Sequence, residues 1–344
     1  MKQIYTKCKG YYSVILKKPN GEIIICAVMA AVLLFIIILT ASAKKIPKDK
    51  PSLPAAVTSK TESVQERIPD KTKFSITYDF GYKKETLEGE KLKSMLNIKP
   101  DGSYTVNTEK CEEYVNYLAD TYDTFGKDRK FHATIQGDII IPNSSDAVYG
   151  WKTDREKTCD KLIKMLRAGI TVKSCEPVYY DNGYGYVYKG VRSARTANDD
   201  IGSTYVEIDL TAQHLWVYKS GKITYQCDIV SGESTSLTTL TLPGVYNLWY
   251  KGQNYPLNGS NADGESWSTT CNYWNLVSVC GIGLHDTVSR GSFGGSVYRY
   301  SGSKGCINMP LEGAKYIYDE VKLGTPVVMY YSQEQYAEFG LDKQ

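Results

Sequence analysis

Three kinds of hydrophobic pattern divide the 344-residue chain. From Ile23 to Leu39 the residues are apolar without a single charge, and Thr40 to Ala43 extend the run to about the length of a bilayer-spanning helix. Farther on, apolar residues return at helical spacing. Cys111, Tyr114, Val115, Leu118 and Tyr122 follow the capping candidates Asn107 and Thr108, which predicts one helix. Leu162, Ile163 and Leu166 predict a second, with Thr153 and Glu156 spaced as a capping box and Gly169 as the stop. Short strand-like runs, Ala133 to Gln136 and Ile139 to Ile141, lie between them, with a turn at Pro142-Asn143. The third pattern is alternation: Tyr205 to Leu210, His214 to Tyr218 and Ile223 to Ile229 read as a meander of half-buried strands, with a turn at Ser220-Gly221. Near the C-terminus, Pro310 opens a helix that turns Ala314, Ile317, Tyr318 and Val321 inward. Gly324 ends it before a strand from Pro326 to Tyr331.

These patterns give an order of segments: 1–22 on the cytoplasmic side, a spanning helix over 23–43, a linker over 44–71, a smaller mixed α/β domain over 72–200, a β-rich domain over 203–331 and a tail over 332–344. The linker is polar and broken by Pro47, Pro51, Pro54 and Pro69, so it cannot bury a core and serves as a tether. A cleaved signal peptide is the rival reading of the N-terminus, because Ala41-Ser42-Ala43 resembles a cleavage site, but the apolar run exceeds the usual h-region. Lysines flank the span on both sides, and the short N-terminal side is the natural cytoplasmic end. A formal net charge of +3 gives no electrostatic footprint for nucleic acid. The 29 tyrosines suit β structure with amphipathic surfaces, as strand propensity alone also would.

The chemistry is concentrated in Ser301-Gly-Ser-Lys-Gly-Cys306-Ile-Asn308 and in Gly283-Leu-His285-Asp286. A cysteine beside Gly305 sits where the backbone can turn sharply, exposing the sulfur and directing N–H groups at a developing oxyanion. The chain has three histidines, and the other two read as structural: His132 within a strand, His214 at a surface or turn. His285 is therefore the candidate base, and the N–H groups of Gly305 and Cys306 are candidate oxyanion donors. Ser303 is expected to orient the loop or His285. Lys304, Arg290 and Asn308 are candidate substrate-binding residues, the two cations suited to substrate carboxylates. Asp286 follows the histidine directly, so its side chain need not face the ring, and it is not taken as a triad acid.

His285, Ser303, Gly305, Cys306, Ile307 and Asn308 together resemble the L,D-transpeptidase catalytic domain of the YkuD type. Thr241-Leu-Pro243-Gly244-Val-Tyr246 and Arg290-Gly-Ser-Phe293-Gly294-Gly295 extend the likeness, which covers roughly residues 203 to 331. Many relatives carry a second histidine directly before the Gly-Cys pair, where this chain has Lys304. Thr124-Phe-Gly, Gly150-Trp151-Lys152 and Glu176-Pro177-Val178-Tyr179 resemble the peptidoglycan-binding domain often found ahead of that catalytic domain. The resemblance implies a membrane-anchored enzyme of Gram-positive type. Its catalytic fold would be an L,D-transpeptidase-type β-sandwich with a helix after the cysteine. It would act outside the cell on peptidoglycan stem peptides, with no cofactor and no metal. It would cleave the terminal D-alanine from a tetrapeptide stem and pass the acyl group to the diamino residue of another stem. Carbapenems would acylate Cys306 slowly. An L,D-carboxypeptidase on the same scaffold and a non-catalytic wall-binding protein are the alternatives. A papain-like protease is disfavoured by His285 preceding Cys306 at short spacing.

Seven cysteines, Cys111, Cys159, Cys175, Cys227, Cys271, Cys280 and Cys306, fall on the outer side of the expected span. An odd set fits one reactive thiol with up to three bridges, Cys271–Cys280 being the favoured pair. Their scattering favours reduced, buried cysteines acting as small hydrophobes. A zinc site from Cys271, Cys280, His285 and Cys306 lacks any Cys-x-x-Cys spacing.

Overall fold

The computed structural model describes residues 73–341 apart from 144–146, 148, 184, 197–198 and 261–264. The expected spanning helix and linker lie outside the described residues. Among the described residues no helix is long and apolar enough to cross a membrane.

The first part of the chain contains β1 (Ile76–Asp79), β2 (Lys84–Leu87), α1 (Gly89–Lys93), β3 (Leu96–Ile98), β4 (Tyr104–Val106), α2 (Thr108–Tyr122), β5 (Arg129–Ala133), β6 (Gly137–Ile141), α3 (Arg155–Ala168) and β7 (Val172–Cys175). A three-stranded sheet in the order β2-β1-β7 packs against α2 and α3. The five apolar positions read from the sequence are the buried face of α2, and the Asn107 side chain caps it by accepting from the Lys110 N–H at 3.2 Å. The start of α3 differs from the expected capping box. Asp154 caps it, accepting from the Lys157 N–H at 3.0 Å, whereas Thr153 is drawn away by Asp123, whose carboxylate takes both its N–H and its hydroxyl. Asp154→Ala is expected to cost about 1 kcal/mol in urea unfolding. An unchanged midpoint would show that the helix does not need this cap.

The second part contains β8 (Tyr205–Asp209), β9 (His214–Lys219), β10 (Lys222–Asp228), β11 (Gly244–Asn247), β12 (Tyr250–Ser260), β13 (Ser266–Leu276), β14 (Gly283–Asp286), α4 (Tyr298–Ser301), β15 (Ile307–Met309), α5 (Leu311–Glu320), β16 (Pro326–Tyr330) and α6 (Gln333–Glu338). Two sheets, β10-β9-β8-β16-β11 and β12-β13-β14-β15, enclose the largest core with α5, which contributes Ala314 and Ile317. The segment after Tyr331, expected as a tail, instead forms α6. Ser332 caps it and Tyr336 packs into the core.

The β5–β6 hairpin covers the outer face of the five-stranded sheet, setting Phe131, Ala133 and Ile141 against Val328 and Tyr330. β16 is thereby buried on both faces, which accounts for its unbroken apolar run. Of the stretch Ala133 to Gln136, read as a strand, Ala133 ends β5 and Thr134 to Gln136 form the hairpin turn; Gly137, at φ +70, opens β6. Buried polar groups hold the hairpin down. Glu207, fully buried, accepts from the Thr134 N–H at 2.7 Å, the Thr134 hydroxyl at 2.8 Å and the Tyr330 hydroxyl at 2.6 Å. Arg129 forks onto Asp200 through Nε at 2.8 Å and Nη2 at 3.0 Å. Packing thus runs across residue 200, although the sequence pattern changes there.

Candidate active site

β14 lies between β13 and β15, antiparallel to the first and parallel to the second, with His285 opposite both Trp274 and Asn308. Cys306 occupies the bend that leads into β15, one residue before the Ile307–Leu284 pair. As register partners, His285 and Asn308 share a face, and Cys306 stands two residues before Asn308 in the bend that enters β15. Two residue steps along the strand and one strand spacing put the Cys306 and His285 Cα atoms roughly 8 Å apart. A long imidazole and a thiol can meet across that gap.

His285 is buried, and its Nδ1 lies 3.0 Å from the carbonyl oxygen of Asp286. A carbonyl only accepts, so Nδ1 carries the proton and Nε2 keeps its lone pair. The Asp286 carboxylate is used elsewhere, taking the Tyr273 N–H at 2.7 Å, the Asn272 N–H at 3.1 Å and the Asn272 amide at 2.8 Å. The residue after the histidine therefore orients it through its backbone, while its side chain ties β14 to β13. Trp274 backs the ring at 5.5 Å between centroids and stacks on Tyr255 at 5.3 Å. Gly283 makes room for this, since a Cβ there would stand 2.6 Å from the indole.

The cysteine loop is held by a polar cluster. The Ser303 hydroxyl donates to the Cys306 carbonyl at 2.5 Å and accepts from the Gly305 N–H at 3.0 Å. The expected orienting part of Ser303 has this geometry, but the Gly305 N–H is engaged and does not face outward as an oxyanion donor. Thr241 joins from the other side: its hydroxyl donates to the Gly305 carbonyl at 2.9 Å and accepts from the Gly232 N–H at 2.8 Å. Sequence reading noted Thr241 only as part of a strand entry. Its contact with Gly305 spans a sequence separation that no local pattern reports. Gly305 adopts φ +117, a conformation other residues rarely reach.

Cys306 is half-buried, its sulfur 3.8 Å from the Gly281 carbonyl. The expected helix N-terminus directly behind it is not there. β15 intervenes, and Pro310 caps α5 only afterwards, which weakens any dipole effect on the thiol. Lys304 is exposed beside the cysteine, and Asn308 is buried within the sheet. Arg290 is half-buried and donates to the Ser301 carbonyl at 2.7 Å, bracing the start of the loop.

The pair Cys271–Cys280 is not formed. Cys271 is a free thiol turned onto β12, where it lies 3.6 Å from the Tyr255 carbonyl, and burial pushes it up to about 12. Cys111, Cys159, Cys175, Cys227 and Cys306 are also free. Among the described residues no group of histidine, cysteine and carboxylate side chains could hold a metal. His132 and His214 lie outside the site, each paired with a carboxylate, Asp138 at 2.7 Å and Asp228 at 2.6 Å.

Burial holds the His285 pKa below its ordinary value of 6.5, and the Arg290 charge adds to the effect against the opposing pull of Asp286. The neutral ring is thus the form present at neutral pH, and the acid limb of the rate profile should fall below the usual histidine range. As pH drops through 6.5 the unfolded chain takes a proton that the native ring resists, so this residue lowers stability toward acid. Arg290→Gln is expected to move the acid limb to higher pH. Thiol labelling of Cys306 across pH measures it, and an unmoved limb would remove Arg290 from the electrostatics of the ring.

Residues 203–329 match the family model of the L,D-transpeptidase catalytic domain, and residues 59–172 match that of a peptidoglycan-binding domain. The crystal structure of a cysteine-to-serine mutant of Enterococcus faecium L,D-transpeptidase is 30% identical, with 76% of this chain and 97% of that chain covered and a TM-score of 0.58. The chain belongs to the L,D-transpeptidase family. The avibactam carbamoyl enzyme of Ldtfm is likewise 30% identical, over 77% of this chain and 96% of that chain, with a TM-score of 0.59. The NMR structure of the E. faecium catalytic domain is 40% identical over 37% of this chain and 96% of that one, with a TM-score of 0.34. No curated protein matches. As an L,D-transpeptidase, the chain is an acyltransferase that cross-links peptidoglycan.

Proposed function

We propose that Cys306 is the nucleophile and His285 the general base and acid of this transpeptidation. The observation that supports the reading is the β14–β15 register, which sets His285 opposite Asn308, two residues after Cys306, while the Asp286 carbonyl fixes the proton on Nδ1. His285 Nε2 takes the thiol proton, and the sulfur attacks the carbonyl of the third residue of a tetrapeptide stem. The bond to the terminal D-alanine breaks, and its amine leaves with the proton from the imidazolium. The amine of a neighbouring stem's diamino residue then attacks the thioester, giving its proton to His285 and releasing the sulfur. The Cys306 N–H is the proposed oxyanion donor. Ser303 and Thr241 hold the loop that presents it, and Lys304 meets a stem carboxylate from its exposed position beside the cysteine.

Residues 23–43 are proposed to anchor the enzyme in the cell membrane with the catalytic domain outside, 44–71 to extend it toward the wall, and the region from 72 to 200 to contact peptidoglycan. The uncharged run from Ile23 to Leu39 and the peptidoglycan-binding match support this arrangement. Mass spectrometry of tetrapeptide stems incubated with the full-length protein tests the reaction. Cross-linked dimers with loss of D-alanine are expected, whereas tripeptide alone would make the enzyme a carboxypeptidase.

A further inference from the structure

Three aromatic rings run across the strands toward His285. Trp274 on β13 stands opposite His285 on β14, with the indole and imidazole centroids 5.5 Å apart and the rings tilted by 38°. From β12, Tyr255 stacks on the same indole at 5.3 Å and 7°, and Tyr250 meets Tyr255 edge-on at 6.1 Å. Two glycines clear the way. Gly252 is the register partner of Trp274, and a Cβ there would stand 2.8 Å from the Tyr255 ring. A Cβ on Gly283, two residues before His285, would stand 2.6 Å from the indole. Glycine weakens a strand interior and marks close approach, which here is the approach of the rings. Trp274 is 4% exposed, so its surface is given to neighbouring rings and not to substrate.

A general base changes charge during the reaction. Neutral when it takes the thiol proton, His285 is an imidazolium until the leaving amine takes that proton away, and burial penalises the charged form. Around the ring, the Asp286 carboxylate favours the charge and Arg290 opposes it, while Cys306 exchanges the proton. Tyr255 on β12 and Cys271 on β13 are kept neutral by burial, and α5 faces the sheet with the uncharged Ala314 and Ile317. An aromatic face within about 6 Å of a cation stabilises it, tryptophan most of all and more so away from water. We propose that Trp274, braced by Tyr255, is a positioning residue for the acyl transfer: with the Asp286 carbonyl it fixes the plane of the His285 ring, and its π face stabilises the imidazolium. The proposal rests on His285 acting as the base.

The test is an NMR pH titration of the full-length protein carrying isotope-labelled histidine, run beside steady-state cross-linking rates. The chain has three histidines, and the His285 signal is the one missing from His285→Ala. Trp274→Leu keeps an apolar wall without a π face. Its His285 titration is expected to move to lower pH, and kcat to fall roughly tenfold with KM nearly unchanged. Tyr255→Leu should move both in the same direction by less, and Trp274→Phe, which restores an aromatic face, should recover most of the wild-type rate. A tryptophan that only fills space predicts the opposite sign, because water entering the void would raise the titration toward that of an exposed histidine. An upward or unmoved titration in Trp274→Leu, equal losses in Trp274→Phe and Trp274→Leu, or a raised KM with kcat retained would overturn the proposal. If Trp274→Leu does not fold, an unmoved titration in both Tyr255→Leu and Trp274→Phe overturns it. Full activity in His285→Ala would overturn the base itself and with it this role, whereas an unmoved titration beside an inactive His285→Ala overturns only the part given to Trp274.

Discussion

Replacing Cys306 by serine is expected to reduce cross-linking by roughly a thousandfold or more while leaving the thermal midpoint unchanged. A serine hydroxyl is far harder to ionise than a thiol, and a buried neutral imidazole is too weak a base to make up the difference. The fold should not register the change, because Cys306 is half-buried and serine is close to cysteine in size. Intact-mass measurement after exposure to a carbapenem gives a second readout. One adduct is expected on the wild type and none on Cys306→Ala. Near-normal cross-linking by a folded Cys306→Ser protein would defeat the mechanism outright.

His285→Ala should lower turnover by about a hundredfold to ten-thousandfold, the usual range for a positioned general base. The ring has one role in activating the sulfur and another in protonating the leaving amine, so both acylation and deacylation should slow. Its second signature is in the pH profile: the wild-type acid limb, displaced below the ordinary histidine range, should disappear in the variant. Removing a buried ring packed against Trp274 also leaves a cavity, so His285→Gln serves as the control that retains packing without a base of useful pKa. A loss of less than tenfold in both variants would mean that another group activates Cys306.

Much of this was legible in the chain because it is local. The α2 stripe of Cys111, Tyr114, Val115, Leu118 and Tyr122, the strand at Tyr205 and the helix after Pro310 each follow from local pattern, although β8 is buried on both faces where alternation predicted one. The pairing of His285 with Cys306 was legible through motif residues lying close in sequence. Local competition defeated other readings. Thr153 lost the α3 cap to Asp154 because Asp123, distant in sequence, claimed both of its donors. Thr134 to Gln136 became a turn because Gly137 takes a positive φ and the hairpin must cover β16.

Only the tertiary structure decided which groups are left over once the fold is built. Ser303 spends the Gly305 N–H on the loop, Asp286 orients His285 by its carbonyl, and Thr241 reaches Gly305 from another strand. Cys271 stays reduced because its sulfur is turned onto Tyr255. Hydrophobic pattern is a property of each segment, and the sequence by itself determined many of the described helices and strands and singled out the pair proposed to react. Satisfaction of hydrogen bonds is a property of the whole molecule, because a donor's partner is whatever the packing brings within about 3 Å of it.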